Sequence, residues 1–390
     1  MNHSTLCIGA DVHLDEIVLS VVDKADGHEV VERFRVTNNL PGTQAAATTL
    51  AELATHLGYQ RAEIGWEATG MLWIPFHRYL SRCPQLHSLE LEWVCSNPQL
   101  VTKFEGLVLR RPKNDPLDAA AIAARLRFGE WSLSYVPDDF WQGLRRLTRY
   151  RFHLSRALSR EKMRFQAYAF LKCSDWSRVK AFADLFGATS ISLLTEFTIA
   201  ELHQMTHHQL VGLISHRGRG RFADPTATAR QVREALRSSY PIDPQMDEMV
   251  TAAMTSAWEH IRFLKHLTRQ LDQHISRYID PVPNPLVTAK GLGAVITAGL
   301  LAEIVDITRF AEHKHLAQYA GITWGEALHG QLGISEHATH QGRQPVLALL
   351  LCLGSQHPPS VQPGVQGLLL AQVRRSSQVS AQACPRPHRS

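Results

Sequence analysis

Residues 5–12 (TLCIGADV), 16–23 (EIVLSVVD) and 29–37 (EVVERFRVT) are strand-like runs in immediate succession. They are rich in Val and Ile, and Asp26-Gly27 supplies a turn between the second and the third. Runs so short cannot bury themselves and need a shared sheet. The pattern then alternates. A helix at 43–57 is begun by Pro41 and ended by Gly58, and a strand follows at 62–67 (AEIGWE). Next come a helix at 71–82, a strand at 89–95 (LELEWVC) and an Ala-rich helix from Pro116 to Phe128. Consecutive strands followed by alternating helix and strand predict an α/β domain: a mixed sheet with helices packed on it.

After Trp131 the chain turns to long helices. Residues 144–171 carry eight Arg or Lys between Arg145 and Arg164, against one acid, Glu161. Like charges at that density repel one another unless a polyanion lies along them, which points to nucleic acid at Arg145, Arg146 and Arg149; the plain alternative is a solvated face. From Val250 to Tyr278 an apolar seam (Val250, Met254, Ala257, Ile261, Leu264, Thr268, Leu271, Ile275, Tyr278) alternates spacings of four and three. That heptad pattern predicts a coiled coil or long helical hairpin, in cis or between protomers of a homo-oligomer. Residues 217–225 (RGRGRFADP) read as a flexible basic loop, and Pro281, Pro283 and Pro285 mark a boundary.

Four acids carry the chemistry. Asp11 ends the first strand, Glu67 ends the strand after the first helix, and Asp115 and Asp118 open the Ala-rich helix at i and i+3. Hard oxygen ligands gathered from strand ends and a helix start suit Mg²⁺ or Mn²⁺, and such ions support phosphodiester cleavage. Each acid also has a plain structural role open to it. Asp115-Pro116-Leu117-Asp118 makes a good helix cap, Asp11 a turn residue and Glu67 an exposed strand end. Further on, Gly291-Leu292-Gly293 after Lys290 can present backbone N–H groups to a phosphate, or simply turn the chain into a buried helix.

GADVH around Asp11, WEATG around Glu67 and KNDPLDAAAIA around Asp115 and Asp118 closely resemble the DEDD transposases of the insertion-sequence-110 family. That family's catalytic domain is similar to the Holliday-junction resolvase RuvC, and Piv-type DNA invertases share the pattern. GLGAVITAGLLAEIVDITRF, with LAQYAGITW behind it, resembles the start of the family's second transposase domain, which supplies a nucleophilic serine. The resemblance implies an RNase H-like catalytic domain at 1–130, a helical and coiled-coil region at 131–285 and the start of a second domain at 286–324. It also implies that Asp11, Glu67, Asp115 and Asp118 are catalytic metal ligands, and that Arg110, Arg111, Lys113, Lys290, Gly291 and Gly293 join the nucleic-acid contacts. DNA is the implied substrate, with an element-encoded guide RNA as a further partner.

Beyond Trp324 the composition changes. From Gly325 to Ser390 there is no Lys, Asp or aromatic residue, and the only acids are Glu326 and Glu336. The Ser-Gly and Lys-x-Gly-Asn-x-x-Leu-Arg elements that the family carries are absent. Back-translated and read one base later, the tail permits both, which suggests a frameshift after Trp324; a natural, disordered, Pro-rich tail is the alternative. Two competing functions stay open: a stand-alone resolvase-like nuclease, and a non-catalytic remnant that binds DNA or sequesters intact subunits. The six cysteines are far apart without a C-x-x-C pair, which speaks for buried thiols rather than zinc. No secretory pattern or membrane-length apolar run occurs, so a cytoplasmic location is expected.

Overall fold

The computed structural model describes residues 5–67, 70–96, 115–129, 135–284, 286 and 292–320. These fall into two compact units, one up to Val136 and the other from Pro137.

The first unit is built on one five-stranded sheet. Strands β1 (Thr5–Val12), β2 (Glu16–Asp23), β3 (Glu29–Thr37), β4 (Arg61–Glu67) and β5 (Glu90–Ser96) lie in the order β3-β2-β1-β4-β5. The hairpin-linked strands β1, β2 and β3 pair antiparallel, while β4 and β5 join in parallel. Gly27 takes a φ of 79° in the β2–β3 turn, a left-handed conformation that glycine adopts without strain. Helix α1 (Leu40–Leu57) is capped by Asn39, whose side chain accepts from the Gly42 amide, and ends at Gly58 with φ 74°. Helix α1 and α2 (Trp73–Leu80) cover one sheet face, burying Leu6, Ile8, Ala10, Ile17, Leu19, Ile64 and Trp66. Helix α3 (Asp115–Phe128) covers the other, where Cys7, Val22 and Val94 meet Ala123 and Leu126. Both faces are covered, so β1 and β2 read as nearly continuous apolar runs instead of alternating ones. This is the mixed α/β architecture expected of an RNase H-like domain.

The second unit is helical. Its long helices α4 (Asp139–Lys172) and α9 (Pro244–Ile279) run antiparallel, as Arg151 pairs with Asp272 toward one end and Lys172 with Asp247 at the other. Val250, Met254, Ala257, Ile261, Leu264 and Ile275 of the expected seam are buried in this intramolecular pairing. Tyr278 is exposed, and Ile279 takes the buried position beside it. Four shorter helices fill the connection: α5 (Ala188–Glu196), α6 (Ile199–Gln204), α7 (His207–Gly218) and α8 (Pro225–Ser238). They enclose a second core around Phe165, Trp176, Leu194, Leu210, Val232 and Met254. The expected loop at 217–225 is short: Arg219 ends α7 in a left-handed conformation and Asp224 already caps α8. Helices α10 (Ala294–Ile304) and α11 (His313–Ala320) share a third core with Leu144, Ile275 and Ile279. Among the described residues no helix is long and apolar enough to cross a membrane.

Candidate active site

Strands β1 and β4 are adjacent and parallel, with Gly9 opposite Gly65 and Ala10 opposite Trp66. Asp11 and Glu67 stand one step further along each strand, so they occupy neighbouring strand ends. Side chains two apart on a strand point the same way, which places both acids on the face of Gly9 and Gly65.

That face carries α3, and the two glycines let it come close. A Cβ at Gly9 would stand 2.0 Å from the Ala119 carbonyl oxygen and 2.6 Å from the Ala123 nitrogen. A Cβ at Gly65 would meet the Ile122 and Leu126 side chains at 3.1 Å. The direction of α3 follows from its last turn, where the Arg127 guanidinium lies against Gly27 in the β2–β3 turn, beside the start of β1. The first turn therefore lies toward the other end of β1, where Asp11 and Glu67 stand. Asp118 immediately precedes Ala119, the residue seated on Gly9, and Asp115 is the first residue of the helix. The Asp115 side chain lies outside the described residues. Asp11 and Glu67 thus share one end and one face of the sheet, and the helix that begins with Asp115 and Asp118 packs on that face. Among the described residues no three His, Cys, Asp or Glu side chains gather closely enough to hold an ion. The donor chemistry at this edge, carboxylate oxygen without thiolate, nevertheless fits a hard divalent cation.

His13 is the residue that the sequence reading passed over. Its Nε2 lies 2.8 Å from Asp11 Oδ2. Its backbone is held by an N–H bond to the Glu16 carbonyl at 2.9 Å and by Asn38, which donates to its carbonyl at 2.7 Å. The signal was present, since His13 closes the GADVH motif. Glu63, further back along β4, is a different kind of acid: it is buried and paired with Lys24, beside the Cys7 thiol. Burial, followed by the nearby Glu63 charge, pushes that thiol up to about 12, so Cys7 is a packing group.

Of the expected nucleic-acid contacts, Arg110, Arg111, Lys113, Lys290 and Gly291 lie outside the described residues. Gly293 is the N-cap of α10, with no side-chain cap. The basic run on α4 finds its counter-charges elsewhere in the chain. Arg149 makes a two-pronged bond to Glu303, at 2.6 and 2.8 Å, and Glu303 is fully buried on α10. Arg145 donates to the Ala302 carbonyl at 2.8 Å and lies 3.6 Å from the Glu303 carboxylate. Arg151 pairs with Asp272 and Arg164 with Glu161. Four of the eight cations on this helix thus have carboxylate partners within the chain, and Arg145 and Arg149 share the buried Glu303. Arg146 is half-buried, and burial, with Arg149 and Arg145 close by, lowers its pKa.

Comparison with known proteins agrees with the motifs. Residues 8–171 match the model of the DEDD-type IS110 transposase, and residues 284–354 match that of the transposase IS116/IS110/IS902 family. The second match runs past Trp324 into the tail of altered composition. No curated protein matches the chain. With both family domains found in chain order, the chain belongs to the IS110 family of transposases.

Proposed function

We propose that this transposase cuts and exchanges DNA strands at the sheet edge formed by Asp11, Glu67 and the first turn of α3. The supporting observation is the seating of Ala119 on Gly9, which sets the start of α3 beside two neighbouring strand-end carboxylates. Asp11, Glu67, Asp115 and Asp118 would hold Mg²⁺ or Mn²⁺, which when bound supplies Lewis-acid stabilisation of phosphate oxygens. The protein's own part is positional. The β-sheet fixes Asp11 and Glu67, α3 fixes the other pair, and the hydrogen bond from His13 holds the Asp11 carboxylate in one orientation. DNA is the substrate this reading needs, and a guide RNA is a further partner that the family resemblance implies. The α9 seam is used within the chain, so any homo-oligomer would form through other surfaces.

The test is Asp11→Asn in the full chain. Mn²⁺ affinity, read by paramagnetic resonance, should fall by more than about 10-fold, since a neutral amide is a poor hard-cation ligand. Mg²⁺-dependent nicking of supercoiled plasmid should be lost with it. Unchanged Mn²⁺ affinity would overturn the assignment even if the chain cuts nothing.

A second reading, that this chain is a remnant without strand exchange, is favoured by its tail. The segment 325–390 lacks Lys, Asp and aromatics and lacks the family's serine element. We propose a frameshift after Trp324, and the nucleotide sequence there tests it: an early stop in the shifted frame would refute the idea.

A further inference from the structure

We propose that the outer face of α9 around Phe263 binds single-stranded DNA, with phosphates on Arg262 and Arg269 and an unpaired base stacked on Phe263. This rests on reading the chain as one that acts on DNA strands. Between Glu259 and Asp272 the helix carries Arg262, Lys265 and Arg269 and no acid, and Asp272 is already paired with Arg151. Among the described residues no carboxylate pairs with Arg262 or Arg269. On α4, by contrast, Arg145, Arg149, Arg151 and Arg164 are answered by Glu303, Asp272 and Glu161.

The same face is aromatic. Phe263 is 57% exposed, although it stands in mid-helix where a polar residue would cost nothing. Trp258 is half-buried against Phe165, with the Lys265 ammonium 5.4 Å above its ring, so the lysine is held beside Arg262 and Arg269. These side chains, with His266 and one acid, Glu259, line a recess of 640 Å³, so its cations outnumber its carboxylates three to one. Cations that follow a backbone, interleaved with a ring that can take a base, are what an unpaired strand requires; a duplex keeps its bases stacked and offers Phe263 nothing.

The experiment measures binding of a fluorescent 20-nucleotide single strand, and of the matching duplex, to the full chain. Phe263→Ala should weaken the single strand about 10-fold and leave the duplex unchanged, while Phe263→Tyr should keep the single-strand affinity. Arg262→Gln with Arg269→Gln should make the salt dependence of single-strand binding shallower, by about 0.7 in log–log slope per lost contact. Unchanged melting temperatures show that the variants fold. Three results would overturn the proposal: single-strand affinity unaffected by Phe263→Ala, duplex affinity falling equally, or tighter binding of RNA of the same sequence than of DNA. If Asp11→Asn left metal binding intact while these changes still appeared, the catalytic reading would fail and the α9 surface would stand.

Discussion

At the scale of single residues, Gly9 sets how closely α3 can approach the sheet. Its missing Cβ is the space in which the Ala119 carbonyl sits, 2.0 Å from where that atom would be. Backbone cannot move aside as a flexible side chain can, so Gly9→Ala should push α3 off the sheet. The expected cost is about 3 kcal/mol in urea unfolding, the upper end for overpacking a tight core. Because α3 carries Asp118 and Asp115, Mn²⁺ affinity should fall in the same variant although no ligand is touched. A Gly9→Ala protein as stable as the parent would show that the helix does not rest there. Glu63, on the same strand face as Glu67, is buried and paired with Lys24.

At the scale of elements, the basic helix shows how much of a charge run the fold itself can answer. Eight cations against one acid look unsatisfied along α4, but Glu303 stands more than 150 positions away in sequence and Asp272 about 120. Glu303 is fully buried beside Arg145 and Arg149, so Glu303→Gln would remove the carboxylate that both guanidiniums face. A loss of about 3 kcal/mol is expected, since breaking one side of a buried pair costs more than the pair itself contributes. Urea unfolding of the variant decides it, and unchanged stability would mean that water already screens these groups. The short helices α5 to α8 lie within the stretch expected only as a helical region, without individual bounds. Their cues are local: Thr198 with Glu201 and Thr206 with Gln209 form capping boxes, and Asp224-Pro225 begins α8. Helices α5 and α6 are too brief to show an apolar period, whereas α8 buries Ala229, Val232, Ala235 and Leu236 at helical spacing.

For the whole molecule, each unit carries its own core, and the first should respond to acid. His77 is packed among Trp66, Trp73 and Trp93, with ring centroids 5.3, 6.0 and 4.7 Å away. Burial, helped by Arg82, lowers its pKa from 6.5 to about 4. The unfolded chain then binds a proton between those values that the folded chain refuses. Stability should be full above pH 6.5 and decline as pH falls toward 4, by up to about 3 kcal/mol. Tryptophan fluorescence melts across that range should show the decline, and His77→Phe should flatten it. An equally steep profile in the variant would place the acid sensitivity elsewhere.

The strands, the covering helices and the motifs that hold the four candidate acids were legible in the sequence because they depend on short-range signals. Periodicity places strands and helices, Asn39 and Gly58 punctuate α1, and the motifs around Asp11, Glu67 and Asp115 are contiguous. The heptad spacing also named most of the residues that α9 buries. Which acids would be neutralised, which cations would be spent and whether the seam would close in cis could not be read there. Those outcomes depend on partners brought together by the fold: Lys24 with Glu63, Arg149 with Glu303, α4 with α9. A sequence states which charges exist, but electrostatic energy depends on distance and burial, and only tertiary structure sets either.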